Sequence, residues 1–134
     1  MVFKFLLLLI ALYSACGEPP FPVQPVDRIL FSLDTITQPT DGLVPVIVQD
    51  SDSKDILTLA YTNKESLELT KKTGNSWFWS RSRKKLWMKG EESGNTQKVK
   101  KILVDCDADA IIYLVEPSGP ACHLGEQTCF HNDM

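Results

Sequence analysis

The sequence predicts one compact α+β domain, mostly β, in which a β-sheet or pseudo-barrel carries one main helix. Its 134 residues and 15.1 kDa fit a single domain. Hydrophobic residues make up 43% of the chain and charged residues 23%, which is typical of a globular protein. From about residue 28 onward, short β-like runs alternate with turn signals, and one segment carries helix signals at both ends.

A leader and a linker are predicted before this domain. Residues 1–16 hold one basic residue, an apolar run and then small residues that lead to Cys16, as in a signal peptide or a lipoprotein-type leader. The run is shorter than the ~20 apolar residues of a spanning helix, so we expect cleavage or lipid attachment at Cys16. A buried N-terminal element and a start codon placed too far upstream are the alternatives. Residues 17–27 are proline-rich and indicate an extended linker, which leaves 28–134 for the domain.

The strands are predicted from runs of apolar and β-branched residues that turns separate. The runs 44–48 and 56–61 flank an Asp- and Ser-rich turn and predict a hairpin. Further strands are predicted at 77–81, 86–89, 99–104 and 110–115.

One helix is predicted after the hairpin. Thr62 and Glu65 have the spacing of a capping box, in which a hydroxyl and a carboxylate bind amides of the first turn. Gly74 can adopt the left-handed conformation that ends many helices. The predicted helix therefore covers about residues 63–73.

The overall charge argues against two classes of partner. The formal net charge is −3 and the sequence pI is about 5.3. This balance gives no overall electrostatic attraction to nucleic acid or to an anionic membrane surface. We therefore expect no nucleic-acid partner, and membrane contact only if Cys16 is lipidated.

Three aspartates alternate directly after the predicted strand 99–104. On extended backbone, Asp105, Asp107 and Asp109 point to one face, and Cys106 points to the other. Neighbouring carboxylates repel one another unless a cation neutralises them, and oxygen ligands suit Mg²⁺ or Ca²⁺. A polar turn in water is the alternative, and the motif alone does not decide between the two.

The cysteines indicate metal chemistry more than a disulfide framework. The chain has four, and removal of the leader would leave three, an odd number that cannot fully pair within one chain. The thiolates of Cys106, Cys122 and Cys129 would form a soft site suited to Zn²⁺, with a fourth position for water or for His123. The alternative is a disulfide between Cys122 and Cys129 with Cys106 buried.

Residues 77–101 combine aromatic and basic side chains. The segment holds all three tryptophans and eight of the fourteen basic residues. Such a combination can stack a base and hold phosphates, and the loop 89–97 contains Gly, Ser and Asn, whose free backbone amides can cradle a phosphate. The alternative is a solvated cationic face on a sheet with the tryptophans in the core.

Several short motifs follow one another along the predicted domain. They include Asp41-Gly42-Leu43-Val44-Pro45, Leu59-Ala60-Tyr61-Thr62-Asn63, Trp77-Phe78-Trp79-Ser80-Arg81-Ser82-Arg83, Ser93-Gly94-Asn95, Val104-Asp105-Cys106-Asp107 and Gly119-Pro120-Ala121-Cys122-His123. Together with shorter matches they cover essentially all of 28–130. In this order they closely resemble the phosphoribosyl-AMP cyclohydrolase family, whose members act in histidine biosynthesis.

The resemblance implies a homodimer that hydrolyses 1-(5-phosphoribosyl)-AMP, a small nucleotide. In such enzymes water adds to C6 of the N1-substituted adenine and the N1–C6 bond opens. The product is the phosphoribosylformimino-aminoimidazole carboxamide ribotide. The resemblance also implies two cofactors, with the zinc ligands supplied by both subunits. The implied ligands are Cys106, Cys122 and Cys129 for Zn²⁺, and Asp105, Asp107 and Asp109 for Mg²⁺.

The resemblance also gives candidates for the remaining site residues. His123 is the candidate for proton transfer beside the zinc, with a fourth zinc ligand as its alternative role. The candidates for substrate binding are Trp79, Arg81, Arg83, Trp87, Lys89, Gly90, Glu91, Ser93, Gly94, Asn95 and Gln97. Departures from the family are few, and one is Ala108, which stands where the family usually has Gly.

The cellular address stays open at this point. The resemblance implies a cytoplasmic enzyme, whereas the leader implies export or a lipid anchor. A second hypothesis is therefore an exported, non-catalytic nucleotide- or zinc-binding domain of the same fold. A third is a disulfide-bonded extracytoplasmic domain.

Overall fold

The computed structural model describes residues 42–134, which lie within one compact unit. The predicted leader, the predicted linker and Cys16 lie outside these residues. The elements are β1 (Val44–Asp50), β2 (Ile56–Thr62), α1 (Lys64–Thr73), β3 (Trp77–Ser80), β4 (Lys85–Met88), β5 (Gln97–Val104) and β6 (Ile111–Pro117). The predicted α+β, mostly β class is confirmed. No helix in this part of the chain is long and apolar enough to cross a membrane.

Four strands form the main sheet in the order β2-β1-β6-β5. β1 pairs antiparallel with β2, which confirms the predicted hairpin, and it pairs parallel with β6. β5 returns antiparallel to β6. β1 alternates buried and half-buried side chains, because one face of the sheet covers the core. β2 and β5 therefore form the two opposite edges of this sheet.

β3 and β4 form a separate two-stranded antiparallel sheet. Phe78 on β3 is fully buried. The centre of its ring lies 5.0 Å from the ring of Trp87 on β4 and 5.8 Å from the ring of Tyr113 on β6. The contact with Tyr113 packs the small sheet on the main one, and the contact with Trp87 joins β3 to β4. Within residues 42–134 the strands form two sheets, with no closed barrel.

The hydrophobic core lies where the main sheet, the small sheet and the helix meet. Each large apolar side chain buried there contributes about 1.5–3 kcal/mol relative to exposure. The buried core side chains are Val44, Val46, Val48, Leu57, Leu67, Phe78, Ile111, Tyr113, Val115 and Ala121.

The helix begins with a different capping pair from the one predicted. The Asn63 side chain accepts a hydrogen bond from the Ser66 amide, and the Ser66 hydroxyl accepts one from the Asn63 amide, both at 2.9 Å. The predicted pair of Thr62 and Glu65 is wrong, because Thr62 is still the last residue of β2 and its hydroxyl is buried against Ser66 at 2.6 Å. Gly74 ends the helix in the left-handed conformation, with φ of 75°, as predicted.

Candidate active site

The C-terminal tail, residues 118–134, runs back along the free edge of β2. The Cys129 amide donates a hydrogen bond to the Leu57 carbonyl at 2.8 Å, and the Thr128 hydroxyl donates to the Ile56 carbonyl at 2.6 Å. Both cysteines of the tail are thereby carried to this side of the molecule. Cys122 is buried and Cys129 is exposed, and in the described chain neither they nor Cys106 form a disulfide.

A cavity of about 250 Å³ lies between the tail, β2 and β4. His123 and Cys129 line it from the tail, and Trp87 and Lys89 line it from β4 and the residue after it. Leu59 and other β2 residues complete a largely apolar wall. An imidazole, a thiol, an ammonium group and an indole thus meet in one concave, mostly apolar space, which is the composition of a small-molecule site.

Two arginines of the turn between β3 and β4 lie over aromatic rings. The guanidinium carbon of Arg81 is 3.8 Å from the centre of the Tyr61 ring, which is close cation–π contact. The guanidinium carbon of Arg83 is 6.0 Å from the centre of the Trp87 ring, at the outer limit of such contact. Trp79, on β3, is half-buried. Both arginines are exposed, so their donors remain available to an anionic ligand.

The loop that follows β4 holds most of the other predicted substrate residues. Gly90 and Gly94 have φ of 83° and 78°, and the Gly94 amide donates to the Gly90 carbonyl at 2.9 Å. A Cβ at position 90 would lie 2.4 Å from the backbone carbon of Asn95, so only glycine fits this closed turn. Glu91 and Ser93 lie exposed on the same turn.

Gln97 occupies a different environment from the other predicted substrate residues. It is the first residue of β5, its exposed fraction is 1%, and its side-chain amide has no hydrogen-bond partner within the described part of the chain. A buried amide without a partner is costly. The structure therefore places Gln97 beneath the surface of this chain, while the loop residues before it are at the surface or half-buried.

The acidic trio gathers in the loop between β5 and β6. One carboxylate oxygen from each of Asp105, Asp107 and Asp109 lies within 4.8 Å of the others. The extended backbone assumed in the sequence analysis is wrong, because β5 ends before Asp105 and the loop turns back on itself. The Asp105 carboxylate accepts hydrogen bonds from the Asp109 amide at 3.0 Å and the Ala110 amide at 3.2 Å, which closes the turn. Three exposed oxygens at this spacing can share one divalent cation.

Two carboxyl groups of the trio have shifted pKa values. Desolvation acts to raise the pKa of Asp105, but hydrogen bonds, from the Ala110 amide first, hold it below its usual value. The pKa of Asp109 is raised, first by its hydrogen bond to the Asp105 carboxyl and then by the charge of Asp107. The trio therefore carries mutual repulsion of the kind that a bound cation would remove.

The three predicted zinc cysteines do not gather within one chain. Cys106 follows β5, whereas Cys129 lies outside β2, and these strands are opposite edges of the sheet. Within residues 42–134, the acidic trio is the group of three potential metal ligands whose ligand atoms all lie within 4.8 Å of one another, and it includes no cysteine. The structure thus brings Cys129 and His123 to the cavity and leaves Cys106 with the acidic trio on the other side.

Some residues at the site received no role in the sequence analysis. Tyr61 was part of a recognised motif, but its ring contact with Arg81 depends on the packing of β2 beside the β3–β4 turn. Leu59 lines the cavity and is 47% exposed, although Leu57, two residues earlier on β2, is fully buried. That exposure is visible only once the edge position of β2 is known.

The fold and the cavity define a small α+β domain with a concave, mostly apolar site between the tail, β2 and β4. Residues 58–131 match the family model described as phosphoribosyl-AMP cyclohydrolase. The chain is 74% identical over 109 residues to the phosphoribosyl-AMP cyclohydrolase of Nitrosopumilus maritimus, covering 81% of this chain and 99% of that protein. It is 76% identical over 93 residues to the enzyme of that name from Cenarchaeum symbiosum, covering 69% of this chain and 86% of the relative.

A third relative is the histidine biosynthesis bifunctional protein HisIE of Bacillus subtilis. The two are 66% identical over 94 residues, which is 70% of this chain and 45% of that protein. Together the matches show that the chain belongs to the phosphoribosyl-AMP cyclohydrolase family. It is a hydrolase of histidine biosynthesis.

Proposed function

We propose that this enzyme opens the adenine ring of 1-(5-phosphoribosyl)-AMP by zinc-dependent hydrolysis. Water adds to C6 of the N1-substituted adenine, the N1–C6 bond breaks, and the product is the phosphoribosylformimino-aminoimidazole carboxamide ribotide. The observation that carries the proposal is the cavity at which His123 and Cys129 lie with Trp87 and Lys89. Family membership supports a nucleotide as the substrate.

The cysteine set fits a zinc ion by its chemistry. Cys106, Cys122 and Cys129 are free thiols, and three thiolates are a donor set that would hold Zn²⁺. When bound, Zn²⁺ would lower the pKa of a water molecule to about 7 and so supply a nucleophile at neutral pH. The cysteines therefore hold the metal, and the residues around the cavity hold the substrate.

The zinc ligands in this proposal come from two subunits of a homodimer. Across the sheet, β2 and β5 are three strand spacings apart, or about 14 Å, and Cys129 lies outside β2. A zinc ion reaches only about 2.3 Å to each sulfur. Cys106 of one subunit therefore joins Cys122 and Cys129 of the other, and each dimer contains two such sites.

Exposed apolar side chains support a subunit contact at this edge. Ile56 and Leu59 on β2 are 41% and 47% exposed, and Leu124 and Phe130 in the tail are 68% and 60% exposed. Large apolar groups on one edge and its covering segment are typical of a protein interface. The cavity is also smaller than the ~300–1,000 Å³ of common ligand pockets, which fits a site that a second subunit completes.

The acidic trio is the proposed magnesium site. Its oxygen donors and their spacing fit Mg²⁺, which favours carboxylates and substrate phosphates over soft ligands. Asp105 and Asp107 flank Cys106 in sequence. In the dimer this loop therefore brings the trio near the cavity of the other subunit.

The side chains around the cavity have distinct proposed roles. His123 takes a proton from the attacking water and returns one to the departing ring nitrogen, so the net change is addition of one water. Trp87 or Trp79 stacks on the base. Arg81 and Arg83, with polar side chains of the loop 89–97, bind the two phosphates, because exposed guanidinium and hydroxyl groups are suited to phosphate oxygens. The amides of Gly94, Asn95 and Thr96 already donate within the loop and hold its shape.

The experiment that tests this function follows ultraviolet absorbance as the purified protein acts on phosphoribosyl-AMP. We expect ring opening that a zinc chelator abolishes and added Zn²⁺ restores, with a further dependence on Mg²⁺. Metal analysis of the same sample gives the zinc content per subunit. A folded, zinc-loaded protein without turnover would contradict the proposal and leave a nucleotide- or zinc-binding domain.

A further inference from the structure

The start of the tail is joined to the loop after β4 by a compact set of hydrogen bonds. The Ser118 amide donates to the Thr96 carbonyl at 2.9 Å. The Ser118 hydroxyl lies 3.0 Å from the Thr96 hydroxyl, 3.0 Å from the Thr96 carbonyl oxygen and 3.2 Å from the Gly94 carbonyl oxygen. We call this contact between residues 94–96 and 118–119 the seam.

The neighbouring residue brings the two segments into direct contact. A Cβ at Gly119 would lie 2.3 Å from Oδ1 of Asn95 and 2.9 Å from its Cγ. Only a glycine allows the Asn95 side chain to lie against the tail at this distance. The seam therefore combines hydrogen bonds at Ser118 with close packing at Gly119.

The position of the seam gives it a consequence for the site. On one side it fixes the turn of the loop 89–97, whose polar side chains are proposed to bind phosphate. On the other side, Ser118 lies four residues before Cys122 and five before His123. The seam is thus a direct connection between the phosphate-binding loop and the segment that lines the cavity.

We propose that Ser118 is a positioning residue that holds the phosphate-binding loop at a fixed distance from the His123 end of the cavity. The inference rests on the proposed function, because it takes that loop as the phosphate subsite. Ser118 does not touch the reacting atoms in this account. Its hydroxyl acts through the carbonyl of Gly94 and through Thr96, and thereby keeps the loop amides in the closed turn.

Replacing the hydroxyl separates this role from a general effect on folding. In Ser118→Ala the backbone bond to Thr96 is kept and the hydroxyl bonds are lost. We expect KM to rise about 3-fold to 10-fold, the effect of losing about one net hydrogen bond, while kcat changes less than about twofold. Ser118→Thr keeps a hydroxyl and restores most of the affinity. Ser53→Ala, which removes an exposed hydroxyl in the turn between β1 and β2, is the matched control and leaves KM unchanged.

Amide hydrogen exchange gives a second measurement that does not require turnover. The amides of Gly94 and Thr96 donate within the turn, so they exchange faster in Ser118→Ala if the hydroxyl holds the turn closed. An unchanged KM together with unchanged exchange of these amides would overturn the inference. A fall in kcat alone, with KM and exchange unchanged, would also overturn it. If the wild-type enzyme does not open the ring, the proposed function fails. Faster exchange of the Gly94 and Thr96 amides in Ser118→Ala would then still show that the Ser118 hydroxyl holds the turn closed.

Discussion

The Arg81 guanidinium carbon lies 3.8 Å from the centre of the Tyr61 ring, so an arginine of the β3–β4 turn is held against the edge strand β2. Arg81 is exposed and its side chain is long, and without a partner it would sample many rotamers. The ring restricts these rotamers and leaves the guanidinium donors free at its rim. Tyr61 therefore prepares Arg81 for an anionic ligand before that ligand arrives.

Replacing Tyr61 tests this relationship. Tyr61→Leu removes the ring and should raise KM about 2-fold to 5-fold, the range expected for an exposed cation–π contact, with little change in kcat. Tyr61→Phe keeps the ring face and is the matched control, with KM near that of the wild type. Steady-state kinetics of the three proteins measures the effect. Equal KM values for the leucine and phenylalanine variants would show that the ring does not prepare Arg81.

His123 has two candidate roles, proton transfer and zinc ligation, and we expect proton transfer. His123→Gln should lower kcat about 100-fold or more, as for loss of a general acid–base group, while the zinc content per subunit stays at the wild-type level. Metal analysis and kinetics of the same preparation give both values. A loss of zinc in proportion to the loss of activity would instead make His123 a zinc ligand.

Ala108 stands in the left-handed region, with φ of 62°, a conformation that favours glycine. This conformation costs an alanine about 1–2 kcal/mol. Ala108→Gly removes that cost, but it loses a buried methyl group worth about 0.8 kcal/mol and gains unfolded-state entropy worth about 0.4–1 kcal/mol. We therefore expect the free energy of unfolding to change by less than about 1 kcal/mol. Urea unfolding measures it.

Ala110 provides the matched control for this substitution. Within residues 42–134, Ala110 is not one of the residues with a positive φ. Ala110→Gly should therefore destabilise the protein by about 0.5–1 kcal/mol. An equal loss of stability at both positions would contradict the explanation from backbone conformation.

Asp105 has two separable roles in its loop. Its carboxylate closes the turn by accepting the Asp109 and Ala110 amides, and it supplies one oxygen to the acidic trio. Asp105→Asn keeps an acceptor for the turn but removes the charge, whereas Asp105→Ala removes both. We expect both variants to lose stabilisation by Mg²⁺, and only Asp105→Ala to unfold at clearly lower urea concentration in the presence of EDTA. Equal urea midpoints for the two variants in EDTA would mean that the turn does not depend on this acceptor.

Local patterns in the sequence predicted the elements well and their contacts less well. The hairpin of β1 and β2 and the end of the helix at Gly74 follow from short-range turn and capping rules. The predicted N-cap, Thr62, is one residue before the observed N-cap, Asn63. Both residue types favour this position, and only the pairing of β2 shows that Thr62 still belongs to the strand.

Sequence motifs supplied the candidate site residues, but no pattern in the sequence predicted how they come together. The trio Asp105, Asp107 and Asp109 was expected on extended backbone, and its carboxylates meet through a closed turn instead. The cavity depends on the tail pairing with β2, a contact between residues about 70 positions apart. No local periodicity encodes such a contact, and the strand order that separates Cys106 from Cys129 is equally non-local.

The most direct test of the account is complementation between two inactive variants. Cys106→Ser and Cys129→Ser should each abolish zinc-dependent ring opening. If the cysteines of one site come from two subunits, a mixed dimer of these variants has one site with all three cysteines and one site with two of them replaced. After unfolding and refolding together in equal amounts with Zn²⁺, the mixture should recover about a quarter of the wild-type activity. A mixture that stays inactive, although it contains folded mixed dimers, would contradict a zinc site shared between subunits.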